Sequence, residues 1–379
     1  MPEFYQTHLR STLNEAQFLL LMLVVQVLQS LRQVKLESLA AKLPIPIQAE
    51  SRRKKLQRLF SLPTLTFERL WLPIVLQWLK QVEKPVQTLY LALDRTQWDD
   101  VNLLVVSWVK DQRAIPIYWA VLPQLGSSNF KQQKSLLLKV LWQLKTYSVV
   151  LLGDREFCSV RLARWLHRQG VGFCLRLRCN EYIQADQTTW VQLRDLNLQP
   201  GKPLYFEDIK VTKLHQLDGF NVVAHWQRKY RSKIAKESWF ILTHLTSVKA
   251  ATHAYQKRMG IEQMLRDQKR GGYHLEGTSL KGKRLVSLLV VMTLAYAAAT
   301  FAGKTIQRLR LNQYVSRPKD SKRKYSRHSY FYGGLYAYAW IHFEDVCRET
   351  VFALLQLTPA KRPFYQRGLR AMSLIRATL

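Results

Sequence analysis

Apolar residues recur at helical spacing over residues 12–31, 36–43 and 49–62, with the turn Pro44-Ile45-Pro46 between the second and third segments. The pattern predicts a compact three-helix unit in the first eighty residues. Its third helix carries Arg52, Arg53, Lys54 and Lys55 followed by Leu56, Leu59 and Phe60. A basic face backed by an apolar one suits the recognition helix of a helix-turn-helix, and a solvated charge run is the alternative reading. From residue 88 the period changes. Segments 88–93 (TLYLAL), 101–109 and 114–122 are apolar, β-branched and aromatic, with charged or turn residues between them, so they predict three consecutive strands. A helix capped by Ser128 or Asn129 follows, then a fully apolar strand at 148–153, a helix at 160–169 and a strand at 171–177. Short strand candidates at 204–206, 209–214, 221–226 and 238–243 predict an all-β insertion. Helices resume at 247–269 and 283–302.

Composition narrows the function. The 379 residues hold 58 Lys and Arg against 26 Asp and Glu, a formal charge of +32, which points to a polyanionic partner, with nucleic acid ahead of an anionic membrane surface. Residues 304–327 form a dense basic run that reads either as a solvated tail or as a DNA-tracking arm. Four cysteines, Cys158, Cys174, Cys179 and Cys347, are too few and too irregular for a disulfide framework or paired zinc knuckles, so a reducing cytosol is expected. The N-terminus has no apolar core behind a basic end, so no signal peptide is expected. Residues 285–303 carry no formal charge and are long enough to span a bilayer, but their Ser, Thr and small residues predict a buried core helix.

In a chain short of carboxylates, an Asp at the end of an apolar strand needs a reason, because a buried unpaired ion is costly. Asp94 follows one such strand (LALDRTQW) and Asp154 another (VLLGDREF). If the strands are parallel neighbours, both carboxylates emerge at one sheet edge, where like charges are tolerated around a cation. Oxygen ligands without nearby Cys or His indicate Mg²⁺ or Mn²⁺ rather than zinc. Capping of the following turns is the bland alternative for each Asp. On the helix predicted at 247–269, Tyr255, Arg258, Glu262 and Lys269 project within roughly 60° of one another. That face reads as a metal ligand among phosphate binders or as a surface salt-bridge ladder.

Asp94 in DRTQW, Asp154 in GDREF, and Glu262 inside Tyr255-x2-Arg258-x3-Glu262-x6-Lys269 together resemble the DDE transposases of bacterial insertion sequences, in the family-four branch marked by a Tyr-Arg-Glu-Lys signature. The resemblance runs from about residue 88 to 303 and includes GYHLEGTSL at 272–280. It implies an α/β fold: a ribonuclease-H-like core, a mixed sheet flanked by helices, interrupted by a β-rich insertion. The implied organisation is a helical DNA-binding region at 1–85, the first part of the core at 86–180, the insertion at 181–245, the second part of the core at 246–303 and a basic C-terminal region at 304–379. It further implies that Asp94, Asp154 and Glu262 are catalytic and hold two Mg²⁺ ions, with Mn²⁺ able to substitute. Tyr255, Arg258 and Lys269 would grip phosphates, with Arg155 and the Arg52–Lys55 cluster as further DNA contacts. Trp239 in SWFILT resembles the tryptophan that stacks on a flipped base during hairpin formation, and a core aromatic is its other reading. The expected partners are double-stranded DNA at transposon ends and target and a second copy of the chain in a synaptic homodimer. No membrane partner is expected, and the implied location is the bacterial cytosol, at the nucleoid when DNA is bound. A ribonuclease-H-like nuclease or resolvase, and a non-catalytic DNA-binding derivative of a transposase, are the competing functions.

Overall fold

The computed structural model describes residues 3–83, 87–110, 113–186, 188–228, 237–317, 328–356 and 359–379. The chain divides into two compact units, Val75–Leu265 and a second made of Met1–Ile74 with Arg266–Leu379. Residues 318–327 of the basic run, including Lys319, Lys322, Arg323 and Lys324, lie outside the described residues.

The chain opens with four helices, α1 (Glu3–Thr12), α2 (Glu15–Leu31), α3 (Leu36–Lys42) and α4 (Ala49–Phe60). Asn14 starts α2 with a capping box, its side chain accepting from the Gln17 amide while the Gln17 side chain accepts from the Asn14 amide. The periodic residues Leu56, Leu59 and Phe60 are the buried face of α4. Arg52 turns inward: its Nε donates to the Ala40 carbonyl at 2.9 Å and a terminal nitrogen to the Ile47 carbonyl at 2.7 Å. Arg53 pairs with Glu50 at 2.8 Å, whereas Lys54 and Lys55 are exposed. A π-helical turn at Phe67–Trp71 leads into α5 (Leu72–Val82).

The other unit is built on a sheet. Strands β1 (Leu89–Trp98), β2 (Val101–Lys110) and β3 (Arg113–Val121) form an antiparallel meander, followed by α6 (Phe130–Leu141), β4 (Val149–Gly153), α7 (Val160–Arg168) and β5 (Gly172–Arg176). Helix α6 begins at Asn129, whose capping box confirms the N-cap expected there. Strand β4 pairs in parallel with β1 on one side and β5 on the other. Strands β6 (Tyr182–Gln184), β7 (Trp190–Gln192), β8 (Leu204–Val211), β9 (Leu217–His225) and β10 (Trp239–Thr243) complete it. The order β3-β2-β1-β4-β5-β10-β9-β8-β6-β7 makes one ten-stranded mixed sheet, so the β-rich segment extends the same sheet through β10 on β5. This mixed sheet with flanking helices is consistent with the ribonuclease-H-like α/β fold that the family resemblance implies.

Four local expectations are corrected. Strand β1 does not stop before Asp94 but continues to Trp98, because β2 still pairs with it along that length. Segments 204–206 and 209–214 are a single bulged strand, β8, interrupted where Asp208 takes a left-handed φ of 46°. Strands β6 and β7 were missed, since three residues cannot display an alternation. The helix expected at 247–269 is two helices, α8 (Val248–Lys257) and α9 (Met259–Gln268). They meet at Arg258, whose amide donates to the Tyr255 carbonyl and whose carbonyl accepts from the Ile261 amide, i→i+3 bonds that tighten the chain just before the weak helix former Gly260.

Beyond α9 the chain forms α10 (Gly282–Arg308), α11 (Asn312–Val315), α12 (Tyr330–Gln356) and α13 (Arg362–Arg376). Helix α10 is long and apolar enough to cross a membrane, and 89% of its apolar window is buried by protein, as a core helix requires. Gln29 of α2 donates to its Ala295 carbonyl and Ser287 to the Leu65 carbonyl. Helix α12 approaches α10 backbone to backbone: a Cβ on Gly303 would overlap the main chain of Tyr330, and one on Gly334 the main chain of Ala299. Glycine is required there by space rather than by dihedral angle. Gly303→Ala and Gly334→Ala are each expected to destabilise the helical unit by roughly 1–3 kcal/mol or more. Thermal unfolding checks this, and an unchanged melting temperature would contradict the close packing.

Candidate active site

The apolar run Leu89–Leu93 suits β1 to an interior place between β2 and β4, and its parallel register with β4 ends at the pair Leu93 and Gly153. Asp94 and Asp154 are therefore the next residues on neighbouring parallel strands, which is the juxtaposition their strings predict. Gly153 lets the chain turn tightly here, since a Cβ at that position would crowd Leu175 and the Cβ of Phe157 at 2.9 Å. Each aspartate is aimed by its own turn. Asp94 Oδ1 accepts from the Arg95 amide at 2.7 Å, and Asp154 Oδ1 accepts from the Glu156 amide at 2.9 Å.

The third carboxylate arrives with α9. Arg258, at the break between α8 and α9, has a side chain only 8% exposed; its guanidinium hydrogen-bonds to Glu262 and lies 3.6 Å from Asp94. Arg258 thus joins the sheet carboxylate to the helix carboxylate. Burial pushes the Asp94 carboxyl up to about 7; the nearby Asp154 and Glu262 charges add to the rise, and the Arg95 amide and Arg258 oppose it. Burial works against the charge on Arg258, but Tyr255, Glu262 and Asp94 outweigh it and hold the guanidinium firmly protonated. Its Nε is buried without a hydrogen-bond partner, so a donor remains for an incoming oxygen.

Tyr255 lies beside Arg258, with the guanidinium 5.6 Å from its ring centre, and burial raises its hydroxyl above the ordinary tyrosine range. Trp239, at the start of β10, is half-buried and meets the Tyr255 ring edge-on at 5.1 Å and the His225 ring at 6.2 Å. Asp94, Asp154, Glu262, Arg258, Tyr255 and Trp239 thus belong to the sheet unit, the two aspartates lying just past the last parallel pair of β1 and β4. Lys269 and the cluster Arg52, Arg53, Lys54 and Lys55 belong to the helical unit, where Lys269 pairs with Glu276 at 2.8 Å.

Sequence reasoning missed the clamp behind the aspartates. Arg95 of β1 and Glu156, beyond the end of β4, pair at 2.9 Å; Arg95 also donates to Asn102 at 3.1 Å, and Glu156 accepts from the Ser128 amide and hydroxyl. The only signal was position, one residue after Asp94 and two after Asp154. Arg155 is half-exposed and shares Glu237 with Arg176.

The donors suit a hard divalent cation: three carboxylates, one buried and reluctant to ionise beside the other two. Among the described residues no three acidic, His or Cys side chains converge closely enough to hold one ion as they stand. Arg258 lies between Asp94 and Glu262 instead. Glu262 is 43% exposed, free enough to change partner.

Residues 124–298, just under half of the chain, match the family model described as the transposase DDE domain. That span includes Asp154, Arg258 and Glu262 and begins after Asp94. A piggyBac transposase solved as a synaptic complex with hairpin DNA is similar at 12% identity and a TM-score of 0.44, covering 98% of this chain and 81% of that one. An Argonaute from Marinitoga piezophila with guide RNA and target DNA is similar at 10% identity and a TM-score of 0.24, covering 56% of this chain and 30% of that one. No curated protein matches.

Proposed function

We propose that the chain is a DDE transposase of the family-four branch, which binds the terminal inverted repeats of an insertion sequence, cuts the ends and joins them to target DNA. The observation that carries this reading is that Arg258 bridges Asp94 and Glu262 while Asp154 follows the last residue of β4 that pairs beside Asp94, within a chain whose residues 124–298 match the transposase DDE domain. A charge of +32 suits DNA as substrate. The protein would work as a homodimer in the bacterial cytosol, at the nucleoid when bound, and pass through a hairpin intermediate.

Asp94, Asp154 and Glu262 would hold two Mg²⁺ ions, or Mn²⁺ in their place, whose chemistry is activation of the attacking water or 3′-hydroxyl and stabilisation of the leaving oxygen. Glu262 turns from Arg258 to join the two aspartates, which frees the guanidinium and its unpaired Nε for a phosphate oxygen beside the cut. Arg95 and Glu156 keep the strand ends in register. Trp239 offers its open face to a base, with Tyr255 as its backing.

Asp94→Asn, Asp154→Asn and Glu262→Gln are each expected to abolish Mg²⁺-dependent cleavage while DNA binding persists, because each removes a ligand with little change of shape. Near-parental cutting by any one of them refutes the triad. Joining of the cut end to a second duplex separates transposition from simple nuclease action.

The raised Asp94 value sets a pH signature that needs no catalysis. The folded form holds this proton up to about 7, whereas the unfolded chain releases it near 3.8. Between those values the folded state binds more protons than the unfolded one, so stability falls as pH rises through the window. Mg²⁺ is therefore expected to raise the melting temperature at about pH 8 and to do little at about pH 5.5, and Asp94→Asn should remove the difference. Equal stabilisation at both values would contradict the site.

The basic cluster of α4 should divide in the same way that its hydrogen bonds do. Lys54→Ala with Lys55→Ala is expected to weaken DNA binding and flatten its salt dependence by about 0.9 for each phosphate that is no longer neutralised, with an unchanged melting temperature. Arg52→Ala is expected to lower the melting temperature, since its guanidinium serves two carbonyls of the helical unit. Thermal unfolding and salt titrations separate the two effects.

A further inference from the structure

Next to Asp154 the sheet unit has a cavity of about 360 Å³ between the end of β5 and the strands that follow it. Its walls include Arg155, Arg176 and Arg194, with the indole of Trp226, the exposed thiol of Cys179 and the carboxylate of Glu237. Glu237 Oε2 accepts from Arg155 at 3.0 Å and from Arg176 at 2.8 Å, and Arg176 also donates to the Ser238 carbonyl at 3.0 Å. The Arg176 side chain is only 14% exposed, whereas that of Glu237 is 56% exposed. One solvated carboxylate is thus held between two guanidiniums, one of them nearly buried, in a cavity with three arginines and one acid.

This is the electrostatic arrangement of an anion site already occupied by an internal anion. A carboxylate and a phosphate present similar oxygens to arginine, and a guanidinium fork accepts either. Moving Glu237 into water costs little because it is already half in water, while a phosphate entering between Arg155 and Arg176 gains charge-assisted bonds and leaves Arg194 as a third cation at the wall. We propose that this cavity binds a phosphate of a single DNA strand, and that the Glu237 carboxylate is the competitor which occupies the two arginines until DNA displaces it. The site assigns Arg176 and Arg194, besides Arg155, to strand binding. It rests on the reading of Asp154 as part of the cleavage site, because a strand held by Arg155 runs past its neighbour. The Trp226 indole in the wall suits the sugar and base that accompany the phosphate.

The test uses the full chain and a fluorescein-labelled oligothymidylate of about ten nucleotides. Glu237→Gln keeps the shape and removes the competing charge, so it is expected to tighten binding about tenfold at low salt. The salt slope should stay close to that of the parent, because the same phosphate occupies the cavity in both proteins and only its competitor is gone. Occupancy of the cavity is read directly in the parent protein by alkylation of Cys179, followed by peptide mass spectrometry: saturating oligonucleotide should slow it several-fold, and inorganic phosphate at the same ionic strength should slow it less. Unchanged affinity in Glu237→Gln with an unchanged melting temperature overturns the competitor role. Full alkylation of Cys179 under saturating oligonucleotide overturns the site itself and needs no variant to fold. Asp154→Asn is measured beside them. Cleavage by Asp154→Asn would refute the transposase reading whatever Glu237 does, whereas loss of cleavage with no Cys179 protection would leave that reading standing and remove only the cavity's role.

Discussion

Everything at the candidate site depends on holding three carboxylates against their own repulsion. Two come from adjacent parallel strands and cannot separate, because the register of β1 on β4 fixes them one residue past a paired position. The third is brought by a helix, and what joins it to the sheet is a single guanidinium, that of Arg258. At 8% exposure this cation is screened far less than a surface charge would be. Its attraction to Asp94 and Glu262, with that of Tyr255, outweighs the desolvation it suffers, while burial above all, with the Asp154 and Glu262 charges adding to it, lifts the Asp94 carboxyl to about 7. A site left short of positive charge at its centre, in a protein with a large positive excess elsewhere, is selective for a compact cation of higher charge.

The break between α8 and α9 follows from the same requirement. A continuous helix would carry Tyr255, Arg258 and Glu262 on one stripe, all facing in nearly one direction. With the chain tightened at Arg258, Tyr255 packs with Trp239 on the sheet while Glu262 stays at the solvent edge. Arg258 then lies between Tyr255, packed on the sheet, and Glu262, 43% exposed. A counter-ion shared by Asp94 and Glu262 links the charges of the two carboxylates. Behind this pair the Arg95 and Glu156 clamp gives the strand ends a rigidity that they would otherwise lose where β4 stops.

The fold was legible wherever the apolar pattern was long. The strands of the core, the capped helix α6 and the apolar helix α10 all follow from runs of five or more residues, and burial keeps such runs unambiguous. The two aspartates were legible because a charge at the end of an apolar strand has few explanations. What the pattern could not carry were meetings between residues far apart in the chain. Glu237 lies 82 residues from Arg155 and 61 from Arg176, and no local spacing announces such a meeting. Short strands such as β6 were lost for the opposite reason, having too few residues to state a period. For Arg52 the charge is visible in the sequence and the two carbonyl partners are not.

The ion pairs beside the aspartates share one form. Arg258 is held by Glu262, Arg95 by Glu156, and Arg155 with Arg176 by Glu237. In each case an arginine close to the strand ends has an internal carboxylate, but the exposures differ. The Glu156 side chain is 17% exposed, so its pair is structural and would lose much on being parted. Glu262 and Glu237 are about half in water, so their pairs hold the arginines in place weakly enough to be exchanged. Unpaired guanidiniums crowded around a cleft would repel one another and scatter. Carboxylates that solvent can reclaim keep them ordered and cost little when a stronger anion arrives, so the burial of the acid, rather than that of the arginine, separates the clamp from the sites that a phosphate can take.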